Sequence, residues 1–191
     1  MDSEKFSRQT GDFYRSIGHF VVEFSLLVHT LETYASRILG EPVQQGRRGK
    51  DKSAAAQRAL SRYFEAMRKA GGALANAEDR TVMKQLRSEL SQLVKERDRV
   101  AHDAWFIGWG SSETTDWSSG ERWRYRSGAE WTPVDVRTLT AESIERLADD
   151  ADRLRRLVGN VAGAVLTLPY HPGEGPAHVL KIVDGRLAVN R

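Results

Sequence analysis

The stretch KERDRVAHDAWF, residues 95–106, decides how this chain is read. As far as Val100 the apolar residues recur every three or four positions, the spacing of one helical face. From Ala104 onward large apolar residues alternate with others, the period of a strand. The change falls across Arg-Asp-Arg, two small apolar residues and a His-Asp pair. A helix is expected to end there and a β-element to begin.

Working backward, that helix opens at Asn76, with Glu78 and Asp79 suited to the positive end of its dipole, and buries Val82, Leu86, Leu90, Leu93 and Val100. A helix before it starts at an N-cap Ser53, carries Ala56, Leu60, Phe64 and Met67, and ends at Gly71-Gly72. The first helix runs from about Phe13 to Leu39, with Phe13, Ile17, Phe20, Phe24, Leu27, Leu31, Ala35 and Ile38 on one face. Val22 and Leu26 fall on a second face, so burial from two sides is expected, by the bundle and by a partner chain. Gly40 and Pro42 stop it. The connection GEPVQQGRRGKDK, residues 40–52, reads as a solvated loop, with a phosphate-contacting arm as the second reading.

Working forward, AWFIGWG and RWRYRS read as two strands of a hairpin, with Arg122, Arg124 and Arg126 on one face of the second strand. A fourth helix follows from near Thr140 through Ile144, Leu147, Ala151, Leu154, Val158, Val161 and Val165. HVLKIVDGRLAVN places Asp184-Gly185 between apolar runs, a hairpin signal. A lone hairpin is marginal in water, so this one is expected to dock on the bundle or on another chain. The fold class expected is mainly α: a four-helix up-down bundle over residues 1–167, a β-hairpin insertion at 105–132 between the third and fourth helices, and a C-terminal extension, 168–191, with its own hairpin.

Composition narrows the function. The 191 residues suit one domain with a real core, and 40% hydrophobic with 29% charged residues fits a water-soluble chain. No apolar run is long enough to span a bilayer, and MDSEKFSRQT lacks a signal peptide's apolar core, so no membrane partner is expected. The absence of cysteine excludes disulfides, thiol catalysis and thiolate metal sites, and a cytoplasmic location is expected. A net charge of +3 permits a nucleic-acid partner without demanding one. His19, His29, His171 and His178 are scattered with no H-x3-H pair, so no metal is expected. There is no phosphate-binding glycine loop, nucleophile elbow or paired-carboxylate motif, and no cofactor is expected.

The chemistry concentrates in RDRVAH. On the helical wheel Arg97 falls within the arc of Val82, Leu86, Leu93 and Val100, and an arginine on a core-facing register needs a partner. His102 lies five positions on, roughly 7.5 Å along the axis and about 140° around it, so one chain points the two groups apart. Asp98 and His102 are four apart and can touch, which would hold the imidazole's tautomer and raise its pKa.

RDRVAH resembles the R-x4-6-H signature of the HEPN superfamily, with Arg97, Asp98 and His102 on the motif positions. The setting is similar too: a late helix of a small helical bundle, running into the Trp-bearing DAWFIGW, with likeness over roughly residues 10–167. Asp98 stands where Asn is common, and Asp103 adds a negative charge where a small residue often sits. The resemblance implies a metal-independent endoribonuclease that dimerises to bring two Arg–His pairs into one cleft. His102 would move a proton and Arg97 would hold the phosphate as its charge develops, leaving a 2′,3′-cyclic phosphate and a 5′-hydroxyl. Arg99, Arg122, Arg124 and Arg126 would track the RNA backbone. Such a protein would act in a toxin–antitoxin or defence system, with an antitoxin or a nucleotidyltransferase as partner. The alternative is a non-catalytic HEPN-like binding or assembly module, in which Arg97 makes an intrahelical or interhelical ion pair, Glu23 and Glu32 of the first helix being candidates for the latter, and His102 caps its own helix. Trp105, Trp109, Trp123 and Trp131 would then pack the hairpin rather than stack on bases.

Overall fold

A computed structural model of the chain describes residues 3–43, 52–70, 76–102, 104–107, 119–125, 133–171 and 174–190. The described chain is mainly helical: α1 (Ser3–Leu39), α2 (Lys52–Lys69), α3 (Ala77–His102), α4 (Ala141–Thr167) and the short α5 (Pro176–Val179). Strands β1 (Ala104–Ile107), β2 (Ser119–Tyr125) and β3 (Pro133–Thr140) lie between α3 and α4, and β4 (Leu180–Val183) and β5 (Arg186–Val189) follow α5. The chain divides into two compact units, Met1–Phe24 with Lys95–Asp150, and Ser25–Val94 with Ala151–Arg191.

The helical faces follow the apolar period closely. Phe13, Phe20, Phe24, Leu27, Leu31 and Ala35 of α1 are buried, and so are Val82, Leu86, Leu90, Leu93 and Val100 of α3. The second face of α1 is open, with Val22 56% and Leu26 44% exposed. On α2 the expectation needs correcting. The helix begins one residue before Ser53, which is therefore inside the first turn rather than its cap. Tyr63, not Phe64, takes the core position, because the buried line runs Ala56, Leu60, Tyr63, Met67. The Tyr63 hydroxyl donates to the Val158 carbonyl of α4 at 3.1 Å, and Phe64 instead lies under the Arg87 guanidinium, 5.5 Å from its ring centroid.

The helix ends follow from local chemistry. At the end of α1, Gly40 turns into the left-handed region (φ +66°); its N–H donates to Arg37 and that of Glu41 to Ser36, the paired bonds of a Schellman ending. At the start of α3, Asn76 Oδ1 accepts the Asp79 N–H at 2.7 Å, while its amide donates to the Asp79 carboxylate. At the start of α4, Thr140 Oγ1 accepts the Ser143 N–H and Ser143 Oγ accepts the Thr140 N–H, a reciprocal cap.

In the first unit the expected two-stranded insertion is a three-stranded antiparallel sheet, in the order β1-β2-β3. β3 is the strand missing from the expectation. Its β-branched residues Val134, Val136, Thr138 and Thr140 alternate, and Pro133 is tolerated because it opens the strand. Trp105 pairs in register with Arg122, and Ala104 with Trp123. Trp109, Trp131 and Arg126, like residues 44–51 of the basic connection and Gly71-Gly72, lie outside the described residues.

The C-terminal hairpin forms as read. Val183 pairs with Arg186 across a two-residue turn, and Asp184 (φ +49°) and Gly185 (φ +76°) both take the left-handed conformation such a turn requires. The hairpin docks within the second unit through the buried Leu180 and Leu187.

Candidate functional site

RDRVAH occupies the C-terminal end of α3, which continues through His102; β1 begins two residues later. Positions 97 and 102 of one chain therefore keep the angular separation that the helix imposes. The Arg97 side chain is only 12% exposed, as its core-facing register implies. Its Nη1 lies 3.3 Å from Asp98 Oδ1, and its guanidinium carbon sits 5.8 Å from the centroid of the Phe24 ring. A cation over an aromatic face is one way to keep a shielded guanidinium solvated by the protein. The partners found for Arg97 are thus Asp98, the intrahelical form of the expected ion pair, and the Phe24 ring. Arg99 Nη1 pairs with Glu96 Oε1 at 3.1 Å, so two acid–base pairs are made within four consecutive residues.

The His102 side chain, and with it the expected Asp98–His102 contact, lies outside the described residues. Arg122 and Arg124 lie in β2, in register with Arg137 and Asp135 of β3.

The first unit brings together a second polar group that sequence reading passed over. His19 of α1 shares a 2.6 Å hydrogen bond through Nδ1 with Glu145 of α4, and its Nε2 lies 4.0 Å from Glu23 Oε1. The His19–Glu23 spacing of four is legible in sequence; Glu145, 126 residues away, is not.

In the second unit the polar chemistry anchors the C-terminal segment. The Ala177 N–H donates to Asp79 Oδ1 at 2.8 Å, the Leu187 N–H to Glu89 Oε1 at 2.9 Å, and Gln85 Nε2 to the Gly185 carbonyl at 2.7 Å. Arg153 of α4 bridges the set, donating to Glu89 at 2.7 Å and to the Leu187 carbonyl at 3.1 Å. Burial pushes the Glu89 carboxyl up, but the bonds from Arg153, Gln85 and Leu187 outweigh it and hold the group below its ordinary value. On α4, Asp152 is lowered likewise: burial raises it, and hydrogen bonds from Arg156 and Arg155 more than reverse that.

Among the described residues no cluster of three or more His, Asp or Glu could hold a metal, and no helix is long and apolar enough to cross a membrane. The chain was compared with family models, curated proteins and solved structures, and none of them matches it.

Proposed function

We propose that the chain is a metal-independent endoribonuclease of HEPN type, working in the cytoplasm as a homodimer with α1–α4 arranged as an up-down bundle. The observation that carries this reading is the placement of RDRVAH on the last turns of α3, with the Arg97 guanidinium shielded against Phe24 and held by a weak local partner, Asp98. The open second face of α1, with Val22 and Leu26, supports a further chain as its cover.

In this reading the RNA 2′-hydroxyl attacks the adjacent phosphorus and the 5′-oxygen leaves. One His102 takes the hydroxyl proton and the His102 of the second copy returns a proton to the leaving oxygen. Arg97 spreads the charge that develops on the phosphate. Arg99, Arg122 and Arg124 track the backbone. An antitoxin or nucleotidyltransferase partner in a toxin–antitoxin or defence system belongs to the same proposal.

The test is RNA cleavage by the purified chain in excess EDTA. Cleavage with cyclic-phosphate ends is expected, and His102→Ala should lower the rate by about 10²-fold or more at an unchanged melting temperature. Cleavage that survives His102→Ala removes that residue from the reaction.

A second reading is a non-catalytic HEPN-like binding or assembly module. It is favoured by the low exposure of Arg97, whose guanidinium is already engaged by Asp98 and Phe24. That reading requires no cleavage at any concentration at which the chain is dimeric.

A further inference from the structure

The second unit contains a cleft of about 350 Å³ between the C-terminal half of α1 and the middle of α4. This is at the small end of the range for ligand pockets, roughly 300–1,000 Å³. Arg37, Arg155 and Arg156 line it, together with His29, Thr33 and Tyr34, and no carboxylate does. Asp152, one turn away on α4, ties Arg156 at 2.5 Å and also binds Arg155, so it aligns both guanidinium groups. A second cleft in the same unit, lined by residues of α2 and the end of α1, shows the contrast. There Glu41 pairs with Arg62 at 2.7 Å and Glu65 with Lys69 at 3.1 Å, both carboxylates being part of the lining. One cleft carries carboxylates in its own lining, facing Arg58, Arg62 and Lys69; the other has none.

Two further features shape the α1–α4 cleft. Gly159 leaves room for the Tyr34 phenol, since a Cβ there would already be in contact with the hydroxyl at 3.5 Å. Thr33 Oγ1 is buried with no hydrogen-bond partner among the described residues, and an oxygen-rich ligand on the cleft wall would supply one. Forked guanidinium groups, a phenol and a hydroxyl are all donors. Their natural complement is a tetrahedral oxyanion, which accepts on several oxygens at once.

We propose that this α1–α4 cleft binds a phosphate group, presented either by a small phosphate ligand or by a nucleic-acid backbone. None of its residues belongs to RDRVAH, so the site stands whether or not the chain cuts RNA.

The experiment is calorimetric titration of the full chain with inorganic phosphate, with adenosine monophosphate and with a ten-residue oligouridylate, at low and physiological salt. The test variant is Arg37→Gln with Arg156→Gln, both exposed, and Arg146→Gln, exposed on the same helix but in the other unit, is the charge control. Binding of at least one probe is expected, weakened about tenfold or more in the double variant, as loss of charge-assisted bonds implies. The control should change it less than twofold. Oligouridylate displacing phosphate identifies the backbone as the source; phosphate binding without displacement identifies a small ligand. If the double variant fails to fold, Arg37→Gln alone carries the test. No binding of any probe, or equal weakening by Arg146→Gln, overturns the proposal.

Discussion

The two ends of α3 use charge in opposite ways. Over its first half, Asp79, Gln85 and Glu89 reach residues about a hundred positions away in sequence and hold α5, the Asp184-Gly185 turn and β5. Near its finish, Arg97 pairs with its neighbour Asp98 and Arg99 with Glu96, three residues back. A shielded network with several partners is costly to open, because each member removed strands the others. A pair between neighbours on one turn of helix ties down no distant part of the chain, even where, as for Arg97, the side chain is only 12% exposed. The first arrangement joins segments far apart in the chain; the second stays within one stretch of helix.

The largest effect expected from breaking this contrast is at Glu89. Glu89→Ala removes the acceptor shared by Arg153, Gln85 and the Leu187 N–H, and should cost about 3 kcal/mol. At roughly 2–4 °C per kcal/mol for a chain of this size, the thermal melt should fall by several degrees. Gly175→Ala comes next. A Cβ there would overlap the buried Asp79 carboxylate, which would have to give up Ala177 or Asn76, so a loss of about 1–3 kcal/mol is expected. If both variants melt like the parent chain, the hairpin is not held by these bonds.

Acid should expose the same network. The Glu89 pKa is depressed in the folded chain, so its contribution is full above the unfolded value, about 4.3, and is lost as pH falls through the lower folded value. Melts of the parent chain and of Glu89→Gln recorded from pH 7 to pH 3 should therefore be well separated at neutral pH and converge in acid. A separation that stays constant would mean the carboxylate's charge is not what stabilises the hairpin.

Much of this was legible in the sequence, wherever the information is local. The three-to-four spacing of Phe13 to Ala35 and of Val82 to Val100 names the buried faces correctly. Asp184-Gly185 names its turn, because few residue pairs accept two successive positive φ values. What escaped depends on distance or on competition between signals. β3 runs into α4 with no residue between them, Thr140 closing one and capping the other, so the helix signal masked the strand. Phe64 and Tyr63 are both aromatic, and the burial of Tyr63 depends on the Val158 carbonyl waiting on α4, which no spacing reveals. The cationic cleft needed Arg37 and Arg155 to meet across 118 residues; neither stands in a motif. At the RDRVAH end, the core-facing register of Arg97 was readable from the helical wheel, whereas the Phe24 ring over which it lies was not.

The smallest effect expected is also the one that separates the two functional readings. Arg97→Ala removes one adjacent-residue ion pair and one cation–ring contact, together worth about 1 kcal/mol. Its melt should sit close to that of the parent chain and far above that of Glu89→Ala. Because so little stability depends on Arg97, any large loss of RNA cleavage in this variant must come from the reacting phosphate rather than from unfolding. A loss of 3 kcal/mol or more would place Arg97 beside Glu89 as a cation that holds the fold, and the binding-module reading would then be preferred. Arg97→Lys sharpens the distinction: a lysine keeps the charge over Phe24 but not the forked contact, so stability should be retained while phosphate-dependent chemistry is not.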